Sequence, residues 1–169
     1  ATSSNASRTE FRVRQGADDN PRRGAQHEGV PRLNTMSLRT LLTAREKLPL
    51  RSDDRLEHVL ERFRVAFGAM RTGKGVSHLQ RNNLVCWFVE GRLDSVEVTT
   101  SAQHGLSDLV NWGGFGPFSD DLLGWCAAQE IPFTLMHEEG GGQLWRAPSG
   151  ALIALQEGRL WNVTLALHA

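Results

Sequence analysis

Lysine is absent from the second half of this chain, cysteine occurs only twice, and no apolar run reaches the length of a membrane span. The two cysteines, Cys86 in LVCWFV and Cys126 in DLLGWCAA, cannot build a disulfide framework or a cysteine-rich zinc site. Each sits in an apolar stretch, so core packing and a reducing, cytoplasmic compartment are expected. The opening ATSSNASRTEF has no apolar core of the kind a secretory signal carries. Neither an internal repeat nor a βαβ alternation is visible, which argues against a parallel nucleotide-binding sheet.

The missing motifs narrow the chemistry further. None of the six histidines (His27, His58, His78, His104, His137, His168) has a second histidine three or four residues on, and no metal site is expected. The segments with ligand character are HEE at 137–139 and His104 with Asp108. On a regular strand His137 and Glu138 point to opposite faces and cannot chelate together. GGFGPF (113–118) precedes a helix start, as an anion cradle would, but no GKS or GKT follows. Asp120 and Asp121 would repel a phosphate there, so no nucleotide or other cofactor is expected.

What is present suits one domain: 169 residues, 40% hydrophobic and 22% charged, are enough to bury a core. The net charge of zero hides a gradient. Residues 1–36 hold 6 Arg against 4 acids, residues 37–81 hold 10 Lys and Arg against 5, and residues 82–169 hold 3 Arg against 10. A basic stretch is thus joined to a strongly acidic one, a layout that bears on partners and steering. Alternatively, the two stretches could neutralise each other within the fold. Residues 1–36 are polar, rich in Arg and Gly and without periodicity, so they are expected to form a disordered arm or a non-native extension, with 37–169 the folded domain.

Periodicity places the elements. SLRTLLTAREKL (37–48) reads as a helix capped by Ser37 and stopped by Pro49. SDDRLEHVLERFRVAFGAM (52–70) is the strongest helical pattern, with Leu56, Val59, Leu60, Phe63, Phe67 and Met70 on one stripe and Asp54, His58 and Arg62 opposite. RTGKGVSHLQRN (71–82) reads as a basic connector, and NLVCWFVEGRLDSVEVTT (83–100) as a hairpin with Val85, Trp87 and Val89 inward. A short helix is expected after Ser107, and another over 119–130 capped by Ser119. Strands follow at 133–138, 143–147, 151–156 and 159–168. In the last hairpin a Glu157-Gly158 turn pairs Leu155 with Leu160 and Ala154 with Trp161. Leu152, Ala154, Trp161, Val163, Leu165 and Leu167 then line a core face. The expected fold is α+β in the order α-α-β-β-α-α-β-β-β-β, an antiparallel sheet of about six strands with helices on one face.

The segment LVNWGGFGPFSDDLLGW (109–125) is the most conspicuous candidate site. Trp112, Phe115 and Phe118 are separated by glycines and cannot all belong to one regular element. Bordered by Asp120, Asp121, Glu138 and Glu139, they have the composition of a protein-binding patch, aromatic anchors within a charged rim. The competing reading is a lid whose rings plug the sheet. The expectation is a non-catalytic protein-binding domain of inhibitor, antitoxin or immunity type, neutralising a basic protein partner. The alternatives are a hydrolase-type enzyme using Cys126 or His137 in a cleft, and an RNA-associated protein using the basic arm (Arg12, Arg14, Arg22, Arg23, Arg32) together with Arg71, Lys74 and Arg81.

Overall fold

In chain order the elements are strand β1 (Met36–Ser37), helices α1 (Leu38–Thr43) and α2 (Leu56–Phe63), and strands β2 (Gly68–Gly73), β3 (Val76–Arg81), β4 (Leu84–Val89) and β5 (Arg92–Thr99). Then come β6 (Val110–Asn111), α3 (Leu122–Ala128), β7 (Thr134–Glu139), β8 (Gly142–Arg146), β9 (Leu152–Gln156) and β10 (Arg159–Ala166). They are taken from a computed structural model that describes residues 34–64, 67–100 and 105–168. The fold is mostly antiparallel sheet with few helices, an α+β arrangement. Eight strands form one sheet in the order β2-β3-β4-β5-β10-β9-β8-β7. It is two four-strand meanders fused where β5 pairs with β10, in the register Val98 with Val163 and Val96 with Leu165.

Sharp two-residue turns build the meanders. Glu90-Gly91 (φ 50° and 76°) and Glu157-Gly158 (φ 51° and 75°) place both central residues at positive φ. That conformation matches the twist of the flanking strands, and glycine adopts it without a Cβ penalty.

The helices are shorter than their patterns suggest. Ser37 caps α1, with its Oγ accepting from the Thr40 amide at 3.5 Å. Leu38, Leu41 and Leu42 are buried as expected, but the helix stops at Thr43 and a 3-10 turn over Arg45–Lys47 leads on. Expected over 52–70, α2 spans only 56–63, because Arg64 takes the left-handed conformation (φ 55°). Beyond it, Gly68–Gly73 and Val76–Arg81 form a hairpin, so the stretch read as helix end and basic connector is two strands. The apolar repeat at Phe67 and Met70 is too short to tell a helical stripe from strand alternation. The helix expected after Ser107 is instead a turn leading into β6, which pairs in parallel with β1, Met36 beside Val110. Met36 is buried and therefore belongs to the fold, although the domain was expected to start at 37. Helix α3 is capped by Asp121, not Ser119: its carboxylate accepts from the Leu123 amide at 3.0 Å.

Asp54 was expected on an exposed helix face, yet it is buried. Its carboxylate accepts from the Arg51 amide at 2.7 Å and forms a two-pronged pair with the Arg62 guanidinium, Nη2 to Oδ1 at 2.9 Å. The Asp54 carbonyl also accepts from the Leu93 amide at 2.8 Å, tying the start of α2 to β5.

Two β-bulges turn one strand of each hairpin over relative to the expected facing, β4 in the first and β9 with Trp161 in the second, while Val96, Val98, Val163, Leu165 and Leu167 face the core as expected. In β4–β5 the register shifts between Trp87 and Phe88. Leu84, Cys86 and Phe88 point inward against Leu93, Val96 and Val98, while Val89 is exposed. In β9–β10 the shift falls at Trp161: Leu155 pairs with Leu160 as expected, but Ala154 pairs with Asn162. An extra residue in one strand breaks the two-residue alternation. Ile153, Leu155, Leu160, Val163, Leu165 and Leu167 therefore line the core, while Leu152 and Trp161 face out. The inward residues pack with Leu41, Val59, Phe63, Leu122 and Cys126 of the helices in one cluster.

Two stability outcomes follow. Trp161→Ala should change the melting temperature little, whereas Leu165→Ala should cost about 2–5 kcal/mol and Phe63→Ala about 3–5 kcal/mol by denaturant unfolding. Asp54→Ala, which leaves the part-buried Arg62 without its partner, should cost about 3 kcal/mol. A variant as stable as the parent would show that the Asp54 tether does not hold α2.

Candidate functional site

The segment 112–121 divides its rings between two environments. Phe115 is buried, 5.6 Å from the Trp125 ring and 6.5 Å from that of Trp112, both centroid to centroid. Trp112 is half-buried against the core, and its indole Nε1 has no hydrogen-bond partner among the described residues. These two rings pack back onto the core beside Trp125 of α3. Phe118, by contrast, is 49% exposed. Asp120 and Asp121 are exposed and hold the loop: Asp120 Oδ2 accepts from the Gly116 amide at 2.7 Å, and Asp121 caps α3.

Phe118 lies beside a residue that sequence reasoning put in the core. Trp161 is 56% exposed and stands between two adjoining depressions. The larger, about 630 Å³, lies on the outer face of the sheet and is lined by Trp161, Leu144, Ala154, Gln156, His137 and Glu139 among others. The smaller, about 240 Å³, is lined by Trp161, Phe118, Pro117, Thr100, Arg159 and Leu160 among others. Thr100 secures the arrangement. Its amide donates to the Trp161 carbonyl at 2.9 Å, and its hydroxyl donates to the Leu160 and Trp161 carbonyls. The carbonyls beside the bulge are thereby satisfied, and the indole is held outward.

Trp161 was missed because the simplest alternation, Trp161-Val163-Leu165-Leu167, puts it inside. A conflicting signal was present. A two-residue turn places Leu155 opposite Leu160, and the face carrying that pair also includes Ile153. Extended without a break along the last strand, that face meets Asn162 and Thr164. Only an irregularity reconciles the two apolar sets.

The acidic candidates lie apart from the buried rings. Glu138 and Glu139 are exposed on β7, and Glu139 lines the larger depression. His137 Nε2 is 3.4 Å from Glu139 Oε2, the two lying on one face because they are two residues apart on the strand. Among the described residues no three His, Cys, Asp or Glu side chains gather as metal ligands, and His104 lies outside them. Among those residues, Arg81–Asp108 is the one Arg–carboxylate pair joining the basic stretch to the acidic one, with contacts of 2.7 and 2.6 Å. Its hydrogen bond lowers the Asp108 carboxyl below the usual range and raises Arg81. Arg81 is taken up in this pair, Arg71 and Lys74 belong to the β2–β3 hairpin, and the arm arginines lie outside the described residues.

Cys126 and His137 are not brought together: Cys126 is buried among core residues and His137 is exposed on the outer face. Burial, reinforced by the charge of Asp121, pushes the Cys126 thiol up to about 12; burial and Asp54 do the same to Cys86. A thiol so raised is protonated at neutral pH and is a poor nucleophile. In the folded protein both thiols should resist a disulfide reagent at pH 7–8 and should react promptly after denaturation. Because the folded thiols titrate above their ordinary value of 9.0, their contribution to stability holds below pH 9 and is lost as pH rises toward 12. Rapid labelling of the folded chain would contradict this burial. In comparisons with known proteins, no family model, curated protein or solved structure matches this chain.

Proposed function

We propose that this chain is a non-catalytic protein-binding domain of inhibitor, antitoxin or immunity type that neutralises a basic partner through the outer face of its sheet. The observation that carries the reading is Trp161, a large ring turned outward by a bulge and exposed beside Phe118. Exposing an indole and a phenyl ring together forgoes burial of apolar area, and such rings flanking a depression are typical anchors of protein interfaces. Leu144 and Ala154 supply an apolar floor. Glu138, Glu139 and Glu157 are exposed on the same meander, and residues 82–169 carry 10 acids against 3 Arg. An acidic rim around aromatic anchors favours a cationic surface and speeds its approach. No transmembrane candidate occurs among the helices described, since none is long and apolar enough to cross a bilayer.

Tagged chain and its Trp161→Ala variant, used as parallel baits, test the proposal. The reading expects a basic protein held by the parent and released by the variant at unchanged melting temperature. Titration should show binding weakened by roughly 1–3 kcal/mol for Trp161→Ala, with a similar direction for Phe118→Ala. Phe115→Ala should lower stability instead. A partner bound equally well by parent and Trp161→Ala would remove the groove from the interface.

A further inference from the structure

We propose that a second copy of this chain pairs edge to edge along β7, the two β7 strands running antiparallel about a two-fold axis and joining two eight-stranded sheets into one. The proposal is independent of what the Trp161 groove binds.

Strand β7 is one end of the sheet, bonded to β8 on one side only. All six of its residues are exposed, Leu135 at 43% and Met136 at 44%. A strand edge presents free amide and carbonyl groups, and soluble proteins commonly blunt it with lysine or other charges, proline or a bulge. Thr134–Glu139 contains no lysine or proline; it carries two glutamates and a bulge at Met136. Apolar residues occupy its middle, and both acids sit at its C-terminal end.

The charge layout is self-complementary under a two-fold axis. The bulge at Met136 leaves Thr134, His137 and Glu139 on the outer face, opposite Arg146, Leu144 and Gly142 of β8, and puts Leu135 and Glu138 on the inner one. Strands that pair must bring like faces together. An antiparallel copy does so when Thr134 stands opposite the second copy's Glu139 and Leu135 opposite its Glu138. Without the bulge this register would set inner residues against outer ones. In it, no glutamate of β7 faces a glutamate. The second copy's Glu139 lies in the same outward row as Thr134 and Arg146, its backbone roughly 10 Å from that of Arg146, two strand spacings away. An arginine and a glutamate side chain together span that gap. Arg146 is exposed and its side chain makes no hydrogen bond or ion pair among the described residues, so its guanidinium is free to take this role. The two-fold repeats the pair, giving two Arg146–Glu139 contacts that flank a centre where Met136 meets the second copy's His137, as an isologous interface requires.

The test is the mass of the 169-residue chain by light scattering and sedimentation across a concentration series. The expected result is a reversible dimer that weakens as salt rises. Met136→Lys, at an exposed position, should shift it to monomer with unchanged circular dichroism and melting temperature. Arg146→Glu and Glu139→Arg should each weaken association by roughly tenfold. The double reversal should restore it, since each pair is re-formed with its signs exchanged. A chain that stays monomeric throughout, a dimer unaffected by Met136→Lys, or a double reversal no tighter than either single change overturns the proposal.

Discussion

The pairing of β5 with β10 is the contact on which the rest of the molecule depends. Each four-strand meander is local: β2 to β5 and β7 to β10 are joined by short turns and need little loop closure. The β5–β10 ladder unites segments more than sixty residues apart, Thr99 beside Asn162 and Ser95 beside Ala166. It brings Val96 and Val98 against Val163 and Leu165 and creates a single inner face for the three helices to cover. The same ladder places Thr100 within reach of the Leu160 and Trp161 carbonyls, so the junction of the meanders also shapes the candidate site.

Bulges then decide which residues that sheet buries. At Asp94, opposite the Trp87/Phe88 step, and at Trp161 one extra residue moves the side chains beyond it to the other face. The outward Trp87 finds a polar partner, its Nε1 donating to Glu97 Oε2 at 3.1 Å, and Glu97 Oε1 accepts from Asn162 at 3.3 Å. Trp161 is more than half exposed. That contrast between two outward indoles on one sheet face is why Trp161, and not Trp87, carries the proposed interface.

Electrostatics divides in the same way between structure and surface. Asp54 and Arg62 are taken up in positioning α2, and Asp108 and Arg81 in fastening the segment after β5 to β3. Asp120 and Asp121 brace the loop that presents Phe118. What remains outward on the second meander is Glu138, Glu139 and Glu157 with Arg146 and Arg159. These charges border the groove and the β7 edge, where they can act on a partner.

By itself the sequence determined the strands of the second meander, the Glu157-Gly158 turn, the Ser37 cap, the apolar character of Leu41, Phe63 and Leu165, and the acidic second half. Each rests on chemistry between neighbours: turn residues that tolerate positive φ, a side-chain oxygen near free amides, alternation over five or more residues. It also singled out the segment holding Phe118, because glycines and exposed acids flank its rings. Only the tertiary structure decided that α2 stops at Arg64, that RTGKGVSHLQRN is sheet, that Asp121 and not Ser119 caps α3, and that Phe115 is inside while Trp161 is outside. Residues 76–81 become a strand because β4 offers them a ladder and residues 68–73 then pair with them, and Trp161 turns outward because Thr100, sixty-one residues earlier, satisfies the carbonyls of its bulge. Periodicity reads a strand as though it were regular, and the partner that makes an irregularity affordable lies too far along the chain for a local pattern to contain it.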